Sequence, residues 1–323
     1  ARNYSREEYL DAIRRYPSFW SSIRENTKNT DRHSARIAAG IRRLIDLYPN
    51  LTESTIYYTM GVFRSPGTGV DSLVLIGTEF ALGDTLVDTR EFPPQMDYVK
   101  RYYRINPVDY LDFLVVHEYV HTQQKEIVNN LLSQVLYEGI AEWVAVRATG
   151  RPSPWPAFEY GAENNAFVRE RFEAQLFNWR KQGNWLWNDT NNEFGVSDLG
   201  YYVGYTIADG YHRQAEDKEK AIAEMIELDY GDEPAVERVV DASGCLSAPL
   251  AALYQRFEDQ RPKVVDIHPF DNGSQAVDPD IDALTITFSE PLSPRYRSTG
   301  YGPLGEDHFP EVHAIDFAAD GRS

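Results

Sequence analysis

Asn106-Pro107-Val108-Asp109-Tyr110-Leu111-Asp112-Phe113-Leu114-Val115-Val116-His117-Glu118-Tyr119-Val120-His121-Thr122-Gln123-Gln124 is the stretch on which the reading of this chain turns. Asn106 is a good N-cap residue, and Pro107 suits the first helical position, where its missing N–H costs nothing. Apolar residues at Tyr110, Phe113/Leu114 and Val120 follow a helical period. His117 and His121 are four apart, so on a helix both imidazoles share one face and reach one ion. Glu118, next to the first histidine, faces the open side of that ion and can act on a bound water. With seven histidines in 323 residues, chance makes such an H-E-x-x-H motif about one time in a hundred. Solvated histidines on a surface helix are the plainer alternative, and Val115, Val116 and Val120 argue against it. The motif predicts a zinc site.

A catalytic zinc usually keeps three protein ligands and one open position. The next helix predicted by periodicity supplies the third. Leu131, Leu132, Val135, Leu136, Ile140 and Val144 recur at helical spacing, opened by Asn129/Asn130 and closed by Gly150 with Pro152 beyond. On it, Glu138 and Glu142 share a face and interrupt an otherwise apolar run. Two like charges at that spacing repel mildly, so a compensating partner is expected. Glu138 is read as the metal ligand, and Glu142 as the acceptor of a ligand histidine's second ring N–H.

His117-Glu118-x-x-His121 followed by Glu138-Gly139-Ile140-Ala141-Glu142 resembles the gluzincin metallopeptidases. The spacing of 17 residues (138 − 121) is short for that group and leaves Glu142 as an alternative ligand, while the E-G-x-A match favours Glu138. HEYVHTQQ, YEGIAEW and LGYYVGY further resemble uncharacterised bacterial domains described as predicted zinc-dependent proteases, over residues 1–260. The resemblance implies an α+β fold with a mixed N-terminal lobe, the H-E-x-x-H helix and a helical C-terminal lobe. It also implies hydrolysis of peptide bonds, with Glu118 as general base and a tyrosine from a later helix stabilising the oxyanion. That tyrosine is Tyr202 or Tyr205 (202 − 138 = 64; 205 − 138 = 67), with His212 as an alternative donor. By the same resemblance, the strand segment around Gly77–Phe80 borders the cleft and pairs with extended substrate.

A net charge of −18 argues against nucleic acid and anionic membrane surfaces as partners. One cysteine, Cys245, excludes an internal disulfide, and no apolar run approaches the roughly 20 residues of a membrane span. The chain lacks an initial Met, and a processed or trimmed start is the expectation. The expected partner is a peptide or protein substrate.

In chain order, Ser5-Arg6-Glu7-Glu8 reads as the cap of a helix over residues 5–27, and a second amphipathic helix runs from Asp31 to Tyr48. Residues 55–63 and 72–80 read as strands, with Ser65-Pro66-Gly67-Thr68-Gly69 a turn or flexible loop between them. Residues 84–104 read as irregular, Arg151–Pro156 as a stiff linker, and Glu163–Trp179 as helix. In the helix around Tyr205, Gly204 and Ala208 let another element come close. Small helices follow at Lys218–Leu228, Pro234–Val240 and Pro249–Phe257.

From Arg261 the pattern changes to short alternating runs with Pro/Gly/Asn turns, as in Val264–His268 and Leu284–Phe288. This resembles the opening strands of bacterial Ig-like repeats, implying a β-rich extension over residues 261–323, short for a full sandwich of ~100 residues. It implies an extracytoplasmic protein, secreted, periplasmic or anchored at the cell surface. Two other functions stay open on the sequence: a catalytically inactive metal-binding surface scaffold, and a metallohydrolase of a non-peptide amide or ester.

Overall fold

A computed structural model describes residues 5–323 apart from 272, 296, 298, 299 and 310. The chain forms two compact units, Ala1–Leu253 and Tyr254–Ser323. Helix dominates, with a small mixed sheet, so the fold is α+β.

The first unit opens with α1 (Arg6–Arg15) and α2 (Pro17–Lys28). Ser5 and Glu8 make the expected capping box, Ser5 Oγ accepting from the Glu8 N–H at 3.2 Å and the Glu8 carboxylate from the Ser5 N–H at 2.7 Å. The single helix expected over residues 5–27 is two, because Pro17 excludes Tyr16 from helical backbone. Next come α3 (Ser34–Leu47), β1 (Thr55–Thr59), β2 (Gly67–Val70) and β3 (Leu73–Gly77). The sheet order is β1-β3-β2, with β1 parallel and β2 antiparallel to β3.

Two sequence expectations fail here. The stretch expected to be a loop, Ser65–Gly69, contributes the edge strand β2. The expected second strand stops at Gly77, and Thr78–Ala81 turns into a short helix, α4. Glu79 drives that turn. Its buried carboxylate accepts the N–H groups of Gly61 at 2.7 Å and Phe63 at 3.0 Å, in a crossover where Val62 and Phe63 have positive φ. Strained backbone persists only where its surroundings over-determine it. Here the Phe63 ring is clamped among Phe19, Phe80 and Phe92. Since β3 lies between two strands, it has no free edge, and Gly77–Phe80 cannot receive an added strand.

After α5 (Asp97–Tyr103), in the segment expected to be irregular, the chain enters α6 (Leu111–His121). Asn106 does not cap it: Asn106 is left-handed, and Pro107–Tyr110 form a separate 3₁₀ turn. The start of α6 is fixed by Asp112, buried in its first turn and paired with Arg36 and Arg151, each at 3.1 Å. Asn130 caps α7 (Leu131–Thr149) through Ser133 N–H at 2.8 Å, and left-handed Gly150 closes it.

Then follow α8 (Pro156–Glu163), which begins where a linker was expected, α9 (Asn165–Gln175), α10 (Leu199–Gln214), α11 (Lys218–Ile226), α12 (Glu233–Ser243) and α13 (Leu250–Asp259). The core lies between α6, α7 and α10, whose inward residues are almost wholly buried. α7 and α10 touch backbone to backbone: a Cβ on Gly139 would collide with Gly204, and one on Gly204 with the Val135 carbonyl. That contact brings Glu138 and the start of α10 together.

In the second unit, β4 (Val264–His268) and β5 (Thr285–Phe288) form an antiparallel pair, and the Phe288 N–H donates to the Arg322 carbonyl. Among the described residues this unit holds two strands and no second sheet packed against them.

Candidate metal centre

Helix α6 presents His117 and His121 on one face, and α7 sets Glu138 against them. His117 Nε2 and His121 Nε2 are 3.0 Å apart, and Glu138 Oε2 is 3.3 Å from the first and 3.2 Å from the second. Among the described residues, this is the one group of His, Cys, Asp and Glu side chains arranged to hold a metal ion. His117, Glu118, Glu138 and Glu142 are each at most 7 % exposed.

The geometry fits a tetrahedral ion. Ligand atoms at the ~2.0–2.1 Å typical of zinc–nitrogen bonds stand about 3.4 Å apart along a tetrahedron's edges, close to the three separations found. The hydrogen-bond partners agree. His121 Nδ1 donates to Gln124 Oε1 at 2.7 Å, which leaves the Nε2 lone pair facing inward. Glu142 Oε2 lies 3.0 Å from His117 Nδ1, though not in line for a hydrogen bond, and favours a proton on that nitrogen too. Two imidazole nitrogens and a carboxylate oxygen thus converge, a donor set that could hold a cation.

The charges point the same way. Three carboxylates, of Glu118, Glu138 and Glu142, are buried around two histidines, and burying an uncompensated ion costs several kcal/mol. Burial opposes a charged His117 ring, yet the adjacent Glu138 and Glu142 push it up to about 10. Burial likewise opposes the Glu138 charge, but His121 and His117 hold that carboxyl far below the usual range. Burial raises Glu118, against the pull of His121, His117 and the Gly69 N–H bonded to its carboxylate.

Strand β2 lies directly on this carboxylate. A Cβ on Gly67 would stand 2.5 Å from Glu118 Oε1, and one on Gly69 would collide with the Glu118 carbonyl and His121 Cβ. The strand passes this close only because both residues are glycine. The Gly77 N–H donates to the Pro66 carbonyl. The alternation of an antiparallel pair then turns the backbone groups of Gly67 and Gly69 away from β3, to the sheet's outer edge.

Of the sequence-derived residues, His117, Glu118, His121, Glu138 and Glu142 stand together. Tyr202 and Tyr205 do not join them. The Tyr202 hydroxyl donates to Asn165 at 3.2 Å, and both rings pack against Phe158. His212 lies against Trp143 instead. The tyrosine at the site is Tyr201, whose ring stacks on His117 at 6.0 Å and whose buried hydroxyl is pushed up in pKa by burial and by the nearby Glu138 carboxylate. Tyr201 belongs to the LGYYVGY stretch but lies one residue before the predicted pair. Because α10 meets α7 through Gly204, the face that includes Tyr201 turns inward.

Three further contributors went unassigned. Gln124, three residues after His121 in HEYVHTQQ, also donates through Nε2 to the Tyr137 carbonyl at 2.9 Å, fixing its own orientation. The Tyr137 ring lies flat on His121, centroids 4.2 Å apart. The third is the Gly67–Gly69 pair. No helix among the described residues is long and apolar enough to cross a membrane. No protein-family model, no curated protein and no solved structure matches this chain, so its likeness to the gluzincins rests on the quoted motifs alone.

Proposed function

We propose that this chain is a zinc-dependent peptidase of gluzincin type. The observation that carries the reading is the convergence of His117 Nε2, His121 Nε2 and Glu138 Oε2 within 3.0–3.3 Å of one another, beside a buried Glu118. A zinc ion held by these three residues supplies Lewis-acid polarisation of the scissile carbonyl and lowers the pKa of water toward ~7. Glu118 takes the proton from the attacking water and returns it to the departing amine. Burial raises its carboxyl above the ordinary range, the direction that favours taking up a proton. The Gly69 N–H steadies the carboxylate between the two transfers. Glu142 and Gln124 hold the two histidine rings in the tautomers that leave Nε2 free. Tyr201 supplies the hydroxyl for the developing oxyanion.

A peptide substrate is favoured by β2. Its outer edge runs beside Glu118, where an extended backbone would add as a further strand by displacing the Ser65 and Thr68 hydroxyls now on the Gly67 carbonyl. The extracytoplasmic setting is proposed on the resemblance of residues 261–323 to Ig-like repeats alone.

The test is Glu118→Gln assayed on casein and a mixed peptide library with zinc content measured in parallel. The variant should keep its zinc and lose about 10²–10⁴-fold in turnover. Full activity in the variant, or no peptide cleavage by the zinc-loaded wild type, would overturn the proposal.

A further inference from the structure

Trp and Tyr rings that leave solvent normally bring a hydrogen-bond partner for their polar hydrogen. Three of the indoles that are not fully exposed follow this rule. Trp20 donates to the Ala12 carbonyl at 3.0 Å, Trp143 to Asp209 at 3.1 Å and Trp185 to Gln175 at 3.2 Å. Trp155 breaks it: the ring is half-buried, yet its N–H meets no acceptor among the described residues. Tyr102, whose ring meets that of Trp155 at 5.6 Å, behaves the same way. It is half-buried, and its hydroxyl is bonded to no described residue but stays open to solvent. Its neighbour in α5, Tyr103, instead donates to the Glu79 carbonyl at 2.5 Å.

The place of this pair in the fold gives its unused donors a meaning. Gly67 of β2 stands opposite Ile76 of β3, and a Cβ on Gly67 would lie 2.5 Å from Glu118 Oε1. β3 ends one residue later, at Gly77, and α4 then carries Phe80, a buried ring that meets Tyr102 edge-on at 5.2 Å. Tyr102 therefore lies off the end of β3 that approaches Glu118. Burial, and after it the nearby Glu118 carboxylate, keep the Tyr102 hydroxyl protonated and able to donate.

We propose that Tyr102 and Trp155 form a substrate subsite beside Glu118 that takes a large apolar or aromatic side chain next to the bond that is cut. The inference rests on the peptidase reading and adds a side-chain preference to it. The two ring faces, backed by Phe80, pack against the side chain. The indole N–H can only donate, and with the Tyr102 hydroxyl it supplies donors that suit the main-chain carbonyls of the same peptide.

The test is binding rather than turnover, in the zinc-loaded full chain carrying Glu118→Gln. The probes are fluorescein-labelled Gly-Gly-Phe-Gly-Gly amide and its counterparts with Ala or Lys at the centre, read by fluorescence anisotropy. The Phe peptide should bind about tenfold more tightly than the Ala peptide. Adding Trp155→Ala or Tyr102→Ala should abolish that preference. Tyr102→Phe keeps the ring and should retain the preference, while weakening both peptides about threefold through the lost hydroxyl. This conservative variant decides the matter if an alanine variant does not fold. Equal affinity for the Phe and Ala peptides would overturn the proposal, as would tighter binding of the Lys peptide, no binding of any, or a preference that survives the alanine substitutions. Casein cleavage by the wild type is scored separately. Cleavage without a binding preference would remove the subsite and leave the peptidase reading standing, and a binding preference without cleavage would do the reverse.

Discussion

Glu118 stands between two walls that differ in which atoms carry the chemistry. On the α6–α7 side the work is done by side chains: two imidazoles and two carboxylates at helical spacings of four residues. On the β2 side it is done by backbone, with Gly67 and Gly69 contributing proximity and an N–H. Side-chain chemistry leaves residue types at fixed spacings. Backbone chemistry leaves only glycines, which look the same in a loop. For this reason His117, Glu118, His121, Glu138 and Glu142 were legible in the sequence, and Ser65–Gly69 reads there as a turn.

That difference can be broken in several places, beginning with the largest expected effect. On the side-chain wall, Tyr201→Phe should lower turnover about 10²–10³-fold, the usual loss of one oxyanion donor, with zinc content unchanged. Tyr205→Phe, whose ring packs on Phe158, should leave it unaltered. Steady-state kinetics on one peptide decides between the two, and the reverse ranking would return the role to Tyr205. Next, Gln124→Ala frees His121 Nδ1 and should weaken zinc binding about 10–100-fold, as losses of a ligand's hydrogen-bond partner generally do. Competition with a chelator of known affinity measures this, and an unchanged dissociation constant would deny Gln124 any part in orienting the ring.

On the backbone wall the effect should be structural. Gly69→Ala drives a methyl group against the Glu118 carbonyl and His121 Cβ. It should destabilise the protein by about 1–3 kcal/mol, the cost of overpacking, read from urea unfolding. A neutral substitution would mean that β2 does not lie on the helix as described.

The smallest effect concerns Asp198, beside the start of α10. Burial above all pushes its carboxyl up to about 6 from an ordinary 3.8, against the N–H groups of Trp187 and Asn188. A folded-state pKa above the unfolded one gives stability that is fully present below pH 3.8 and lost as pH rises through 6. Asp198→Asn should therefore flatten the fall in stability between those pH values. Identical slopes in variant and wild type would remove this carboxyl from the balance.

How far the fold was legible follows the same division. Helices with strong apolar periodicity or a side-chain cap, such as α1 with Ser5 and α7 with Asn130, could be read directly. The Gly204–Ala208 stripe correctly announced a close helix contact, and α7 is the helix that makes it. Missed were features set by tertiary partners. The turn at Thr78–Ala81 exists because Glu79 must fold back on Gly61 and Phe63, residues well upstream of it. Asn106 failed as a cap because buried Asp112, held by Arg36 and Arg151, fixes the helix start one turn later. Tyr201 was missed by one position because a helix's rotation about its axis depends on its neighbour, here through Gly139 and Gly204. Periodicity alone leaves that rotation open.

The central claim is that three lone pairs converge on a cation. Its most direct test is zinc content by elemental analysis of the purified wild type and of His117→Ala, both after exposure to zinc and desalting. About one zinc per chain in the wild type and none in the variant is the result expected for a site with three protein ligands. Equal zinc in both, or none in either, would contradict it: His117 would then pair with Glu138 as an ordinary buried imidazolium, and the peptidase reading would fall with the metal.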